Sequence, residues 1–269
     1  MRQWIKVLTV AFTLVGGIAR GVPVIAAPGV APADVPVYAV LSLIGDRLDI
    51  VVRQLQTGTR VDNNLHQSVA MTDPVFDSVA VSAVATAVRL ADAKAELAAI
   101  NTRSQLLFDQ QRTLFEVSNG VMAMPDAIRN ALRDQGATKL VLIGKHRDDA
   151  SFKFATGYSD GAGKLEGLGF YLDGTWRTVT RDALTGNSLG GQGFIAPFAY
   201  LQVTLVDFPS GRVIGRKLVT AAIMAGAGRA QQDIGEPWNA LTSAEKVRLI
   251  NRLIERELAV AVRELIAQK

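Results

Sequence analysis

Apolar and polar positions recur along this chain with periods that switch between those of strands and those of helices. Val37–Ile44 is a run of strand formers, Gly45-Asp46 follows, and in Arg47–Arg53 the residues Leu48, Ile50 and Val52 share one face. Two such runs joined by Gly-Asp predict a β-hairpin whose second strand is half-exposed. Asp73-Pro74 then opens a helix, with Asp73 as N-cap and Pro74 in the first turn. Helix formers continue to Ala91, with Phe76, Val79, Ala83, Ala87 and Leu90 on the inner face. Glu96–Ile100 reads as a strand and Arg103–Glu116 as a second helix. Pro125 opens a third helix that stops near Gly136, where a C-terminal glycine belongs. Lys139–Gly144 has the pattern of a short buried strand.

The pattern changes between residues 152 and 220. Ten of the 24 glycines lie within Gly157–Gly193, and aromatic residues concentrate between Phe152 and Phe208. This predicts β-hairpins with long mobile connections. The clearest is Tyr200–Phe208, the turn Pro209-Ser210-Gly211, and Arg212–Thr220. Its first strand alternates Leu201, Val203 and Leu205 with Gln202, Thr204 and Val206, as a half-buried strand does. Thr242-Ser243-Ala244-Glu245 is a capping box for a helix over 242–268. Val247, Ile250, Ile254, Leu258, Ala261 and Leu265 form its apolar stripe. The element order predicts an α/β fold of α+β character. Its sheet is mixed and largely antiparallel, with helices on at least one face and a long C-terminal helix.

The N-terminus has a different organisation. Arg2 and Lys6 precede the 13-residue apolar stretch Val7–Ala19, which Arg20 ends. At about 1.5 Å per residue this is short for a bilayer core of ~30 Å, and it reads as an export signal over 1–26 or an N-terminal anchor. Small residues permit cleavage after Ala26 or Ala33, and 27–36 is a Pro/Gly-rich linker. A single exported domain over 37–269 follows, with a Gly-rich hairpin region at 157–193. No later segment reaches 18 apolar residues, so no membrane span is expected in the mature chain. The expected location is periplasmic or secreted.

Composition narrows the chemistry. Of 269 residues 49% are hydrophobic and none is cysteine, which excludes a disordered chain, a disulfide scaffold and a thiolate metal site. There are 29 basic and 25 acidic residues, but Arg2, Lys6 and Arg20 lie in a leader without acids. The body is thus near neutral, and its net charge implies no nucleic-acid partner.

Three motifs fail on inspection. Gly186-Asn187-Ser188-Leu189-Gly190 matches a nucleophile elbow, but both histidines, His66 and His146, precede the serine and no helix follows it. Gly45-Asp46-Arg47-Leu48 places an arginine where an esterase needs its nucleophile, and a hairpin turn explains it. Gly161-Ala162-Gly163-Lys164 resembles a phosphate loop, but Tyr158 and Leu165 stand where glycine and Ser/Thr are required. No catalytic residue, metal site or cofactor is expected. The best-placed polar group is Lys145-His146-Arg147-Asp148-Asp149, just past a strand end. Lys145, His146, Arg147, Lys164, Glu166, Tyr171 and Trp176 are the expected ligand or partner contacts. Phe170, Tyr171, Trp176, Phe194, Phe198 and Tyr200 offer an aromatic face for a sugar or peptide. Arg248, Arg252 and Arg256 form a salt-laced helix face.

The leader, the strand Val37–Ile44, the phrase 136–144 (GATKLVLIG) and the phrase 205–214 (LVDFPSGRVI) together resemble exported α/β domains of Gram-negative envelopes. These are curli-secretion-type lipoproteins, penicillin-binding-protein activator lipoproteins and the amino-terminal domain of the Tol-system β-propeller protein. The chain departs from them in lacking a lipobox cysteine and in its longer Gly157–Gly193 segment. As a whole it resembles exported proteobacterial proteins of unknown function. The resemblance implies a non-enzymatic module that binds envelope proteins, and assigns no residue a role. A small-molecule or glycan-binding protein using the aromatic segment 170–200 is the alternative, and a hydrolase comes third.

Overall fold

The computed structural model describes residues 35–54, 63–154, 157–181, 186, 188–225 and 237–268. The expected signal segment and most of the linker lie outside the described residues. The body is built from β1 (Val37–Ser42), β2 (Arg47–Val52), β3 (Leu65–Ala70), α1 (Val75–Ala91) and β4 (Glu96–Ile100). Next come the short helices α2 (Gln105–Asp109) and α3 (Gln111–Leu114), a small ladder of β5 (Val117–Ser118) and β6 (Val121–Met122), and α4 (Asp126–Asp134). The second half holds β7 (Lys139–Lys145), β8 (Arg147–Phe154), β9 (Gly157–Arg181), β10 (Ser188–Asp207), β11 (Val213–Ala222) and α5 (Ser243–Ala267). The fold class matches the expectation: a mixed sheet with helices packed on it and a long C-terminal helix.

β10 organises the sheet. β11 pairs with its residues Phe198–Val206. β9 pairs with Ser188–Tyr200, and β7 with Leu201–Asp207. A strand has two edges, so β9 and β7 follow one another along the edge that β11 leaves free. β1 lies parallel beside β7 and β2 parallel beside β9. β1 and β2 therefore run in one direction, end to end. The predicted hairpin is not there: Gly45-Asp46 carries the chain onward and does not reverse it. What shapes the segment is Asp77 in the first turn of α1, whose Oδ1 accepts hydrogen bonds from the Ile44 and Gly45 amides at 3.1 and 3.2 Å. Position 45 must be glycine-sized because a Cβ there would fall 2.5 Å from Asp77 Oδ2.

One face of the sheet is covered by α1 and α5. Tyr38, Val40, Val141, Ile143, Leu201, Val203 and Leu205 pack there against Val84, Val88, Leu249, Leu253 and Leu258. The capping box at Thr242 is complete, with Glu245 N–H donating to Thr242 Oγ1 and the Thr242 N–H donating to Glu245 Oε2. α1 has the expected length, but its N-cap is Pro74, without a side-chain cap, and Leu90 is 74% exposed. The helix buries the expected Phe76, Ala83 and Ala87 and, beside them, Ala80, Val84 and Val88.

The other face has two separate covers. Over β1 and β7, Leu107, Phe108, Phe115, Ile128 and Leu132 pack on Leu41, Leu140, Leu142 and Val206. The expected helix 103–116 is split between Asp109 and Gln111, because the buried Gln111 turns inward and donates to the carbonyls of Phe108 (2.8 Å) and Leu43 (3.2 Å). Over β9 and β10, the hairpin of β8 with the first part of β9 lays Ala150, Phe152 and Leu165 on Tyr171, Phe198 and Tyr200.

Two expectations about this region are corrected. The glycines of 157–193, where described, lie mainly inside β9 and β10 and not in long connections. Gly169 shows why: a Cβ there would sit 1.9 Å from the Asp49 carbonyl oxygen, so glycine permits β2 to approach. The strand Leu201–Val206 is not half-exposed either, since Thr204 and Val206 are as buried as Leu201.

Candidate functional site

The two covers on the second face do not meet. Between α3 on one side and the β8–β9 hairpin on the other lies a cleft of about 650 Å³. Its floor is the stretch of sheet where the outward alternation becomes polar: Gly144 on β7, Gln202 and Thr204 on β10, and Arg216 on β11, directly opposite Thr204. Leu43, Phe115 and Leu142 form an apolar wall. The cationic lining is Arg112, Lys145, Arg147, Lys164 and Arg216, with His146 beside them and no carboxylate among the described residues that line it.

Four of the expected contact residues thus come together here, each held differently. Lys145 ends β7 and its ammonium pairs with Asp46. Asp46, 5% exposed, also accepts from Arg47 Nε at 2.8 Å, and Arg47 reaches on to Asp109 Oδ1 at 2.6 Å. Burial pushes the Asp46 carboxyl up, but hydrogen bonds and charge from Lys145 and Arg47 outweigh it and hold the carboxyl below its ordinary value. Lys145 is therefore tied first of all to a buried carboxylate of the fold itself.

The His146 amide donates to the Tyr200 carbonyl (2.9 Å), fixing the bend between β7 and β8. The His146 Nε2 stands 3.5 Å from Asp148 Oδ2, longer than a good hydrogen bond. Arg147 faces Glu166 across the β8–β9 ladder, and Lys164 faces Asp149 with Nζ–Oδ1 at 3.0 Å.

Glu166 lies one step away. It accepts from Arg112 Nη2 at 2.9 Å and lines a second cleft of about 380 Å³ with Asp49, Val51, His66, Arg147 and Lys164. The remaining two expected contacts do not join. Tyr171 is fully buried, its ring 4.7 Å from Phe152 and 6.1 Å from Phe194, so no face is left for a ligand. The side chain of Trp176 lies outside the described residues. Phe170, Phe194, Phe198 and Tyr200 are buried as well, so the aromatic binding face is corrected to core packing. Tyr200 secures the β8 hairpin, its hydroxyl accepting from the Ser151 amide (3.0 Å) and donating to the Asp149 carbonyl (3.2 Å).

Arg112, Arg216, Gln202 and Thr204 are the site residues that sequence reasoning missed. Gln202 and Thr204 had a signal in the alternation along 201–206, where polar residues occupy one face. Arg112 had none, because its position depends on the break at Gln110. Ser188 lies on β10 and His66 on the exposed strand β3. Among the described residues no three His, Asp or Glu side chains gather as metal ligands would. No described helix is long and apolar enough to cross a membrane.

No protein-family model matches the chain, and no curated protein is similar to it. Among solved structures, a Xanthomonas campestris protein of the DUF330 family is 13% identical with a TM-score of 0.35, over 86% of this chain and 81% of that one. A hypothetical protein of Chlamydia trachomatis is also 13% identical with a TM-score of 0.35, over 87% of this chain and 99% of the other.

Proposed function

We propose that this protein is an exported, non-enzymatic binding module of the cell envelope and that the cleft between α3 and the β8–β9 hairpin grips an anionic segment of a partner protein. The observation that carries this reading is the cleft's lining: five Lys and Arg side chains and one His, with no carboxylate among the described lining residues. Arginine predominates, and its planar fork suits a carboxylate or phosphate group. The body of the chain is near neutral, so this charge is local and suits a short anionic group more than a long polyanion. The apolar wall of Leu43, Phe115 and Leu142 supports a second reading, a small organic anion of metabolite size.

Titration calorimetry of the protein with inorganic pyrophosphate and with a capped tetra-aspartate peptide tests the site. Both are expected to bind, more weakly at higher salt. Arg216→Glu, which alters an exposed side chain, is expected to weaken both about tenfold or more, with the melting temperature unchanged. Wild-type protein that binds neither sinks the reading. Pyrophosphate bound without the peptide turns it to the small anion.

A further inference from the structure

The 650 Å³ cleft and the 380 Å³ cleft share Arg147 and Lys164 in their walls. The ion pair between Arg112 and Glu166 joins them a second way, with the arginine lining the first and the glutamate the second. The two differ in character. The first has no lining carboxylate among its described residues, whereas the second sets Asp49 and Glu166 beside the shared cations.

We infer that the two clefts are one site whose ligand is a polypeptide segment carrying an acidic residue and a basic one close together. The acid takes Arg112 together with Arg216, and the base takes Glu166 and Asp49. The inference rests on the proposed anion-binding role of the first cleft and adds what selects its ligand.

The physical basis is an exchange of ion pairs. Arg112 and Glu166 are bonded at 2.9 Å with side chains 60% and 35% exposed, a setting in which such a pair holds weakly. A simple anion entering the first cleft competes with Glu166 for Arg112 and leaves that carboxylate with one cation fewer, Arg147 still facing it across the β8–β9 ladder. A ligand bringing its own cation replaces the contact that Glu166 gives up, so the exchange costs less. Glu166 is then a specificity-determining residue: it opposes bare anions and favours paired ones. Together the clefts enclose about 650 and 380 Å³, room for more than a free amino acid.

The test compares inorganic pyrophosphate with two capped peptides, one of two aspartates followed by two lysines and one of two aspartates followed by two glycines. Wild-type protein is expected to bind the first peptide about fivefold more tightly than the second. Glu166→Gln is expected to tighten the aspartate–glycine peptide and to erase the preference, with no change in melting temperature. Asp49→Asn is expected to weaken only the aspartate–lysine peptide. Equal binding of the two peptides by wild type, pyrophosphate binding with neither peptide bound, or a preference that survives Glu166→Gln overturns the inference while the anion cleft stands. Binding of none of the three overturns both.

Discussion

Asp77 and Lys246 are buried charged residues with opposite consequences. Asp77 satisfies two amides of the Leu43–Asp46 link, and burial, the largest influence on it, pushes its carboxyl above the ordinary value of 3.8. Asp77→Ala leaves both amides without an acceptor, and urea denaturation is expected to show a loss of about 2–4 kcal/mol. Lys246 is 7% exposed with its ammonium 3.8 Å from the centre of the Trp238 ring, and desolvation lowers its pKa to about 8. In the unfolded chain the amine keeps its proton to about 10.4, so between these values the folded state binds fewer protons and stability rises with pH. Lys246→Met is thus expected to raise the melting temperature at pH 7, with the gain shrinking between pH 8 and 10.5. A gain independent of pH would mean that the charge carries no cost at this position.

At the scale of elements, legibility followed the range of the interactions. The capping box of α5 is closed by residues three apart, Thr242 and Glu245, and could be read directly. The same holds for β7 and for the β10–β11 hairpin, whose turn is set by Pro209-Ser210-Gly211. The false hairpin at Gly45-Asp46 failed because its deciding partner, Asp77, lies 32 residues on, beyond any local pattern. The glycine-rich segment misled for a related reason. Glycine at 169 reports a close backbone contact with β2, which sequence cannot separate from a need for flexibility. Of the site, Lys145–Arg147 was legible because a strand end is a natural place for polar groups, while Arg112 and Arg216 arrive through packing of distant elements. Gly169→Ala checks the contact: its methyl has no room beside the Asp49 carbonyl, and a loss above about 2 kcal/mol is expected in chemical denaturation. Leu253→Ala, at a fully buried position of α5, is expected to cost about 2–5 kcal/mol in the same assay.

For the molecule as a whole, Asp46 is the charge that ties the parts around the cleft. It joins β7 through Lys145 and, through Arg47, reaches Asp109 on α2. Its carboxyl is held below the ordinary value, so its contribution is complete above about pH 4 and is lost as pH falls through the folded-state pKa. Asp46→Asn is expected to lower stability at pH 7 and to flatten the acid limb of the stability profile; an unchanged acid limb would show that the pair carries no pH-linked stability.

β10 has a consequence of another kind. Its N-terminal stretch holds β9 and its C-terminal stretch holds β7, while β11 bridges the join along the opposite edge. Neither portion of the sheet can come apart without stripping a strand that the other also uses. The amide protons of Leu201–Leu205 should therefore be among the last to exchange with deuterated solvent, at a rate set by global opening, and melting should follow one sigmoid and not two.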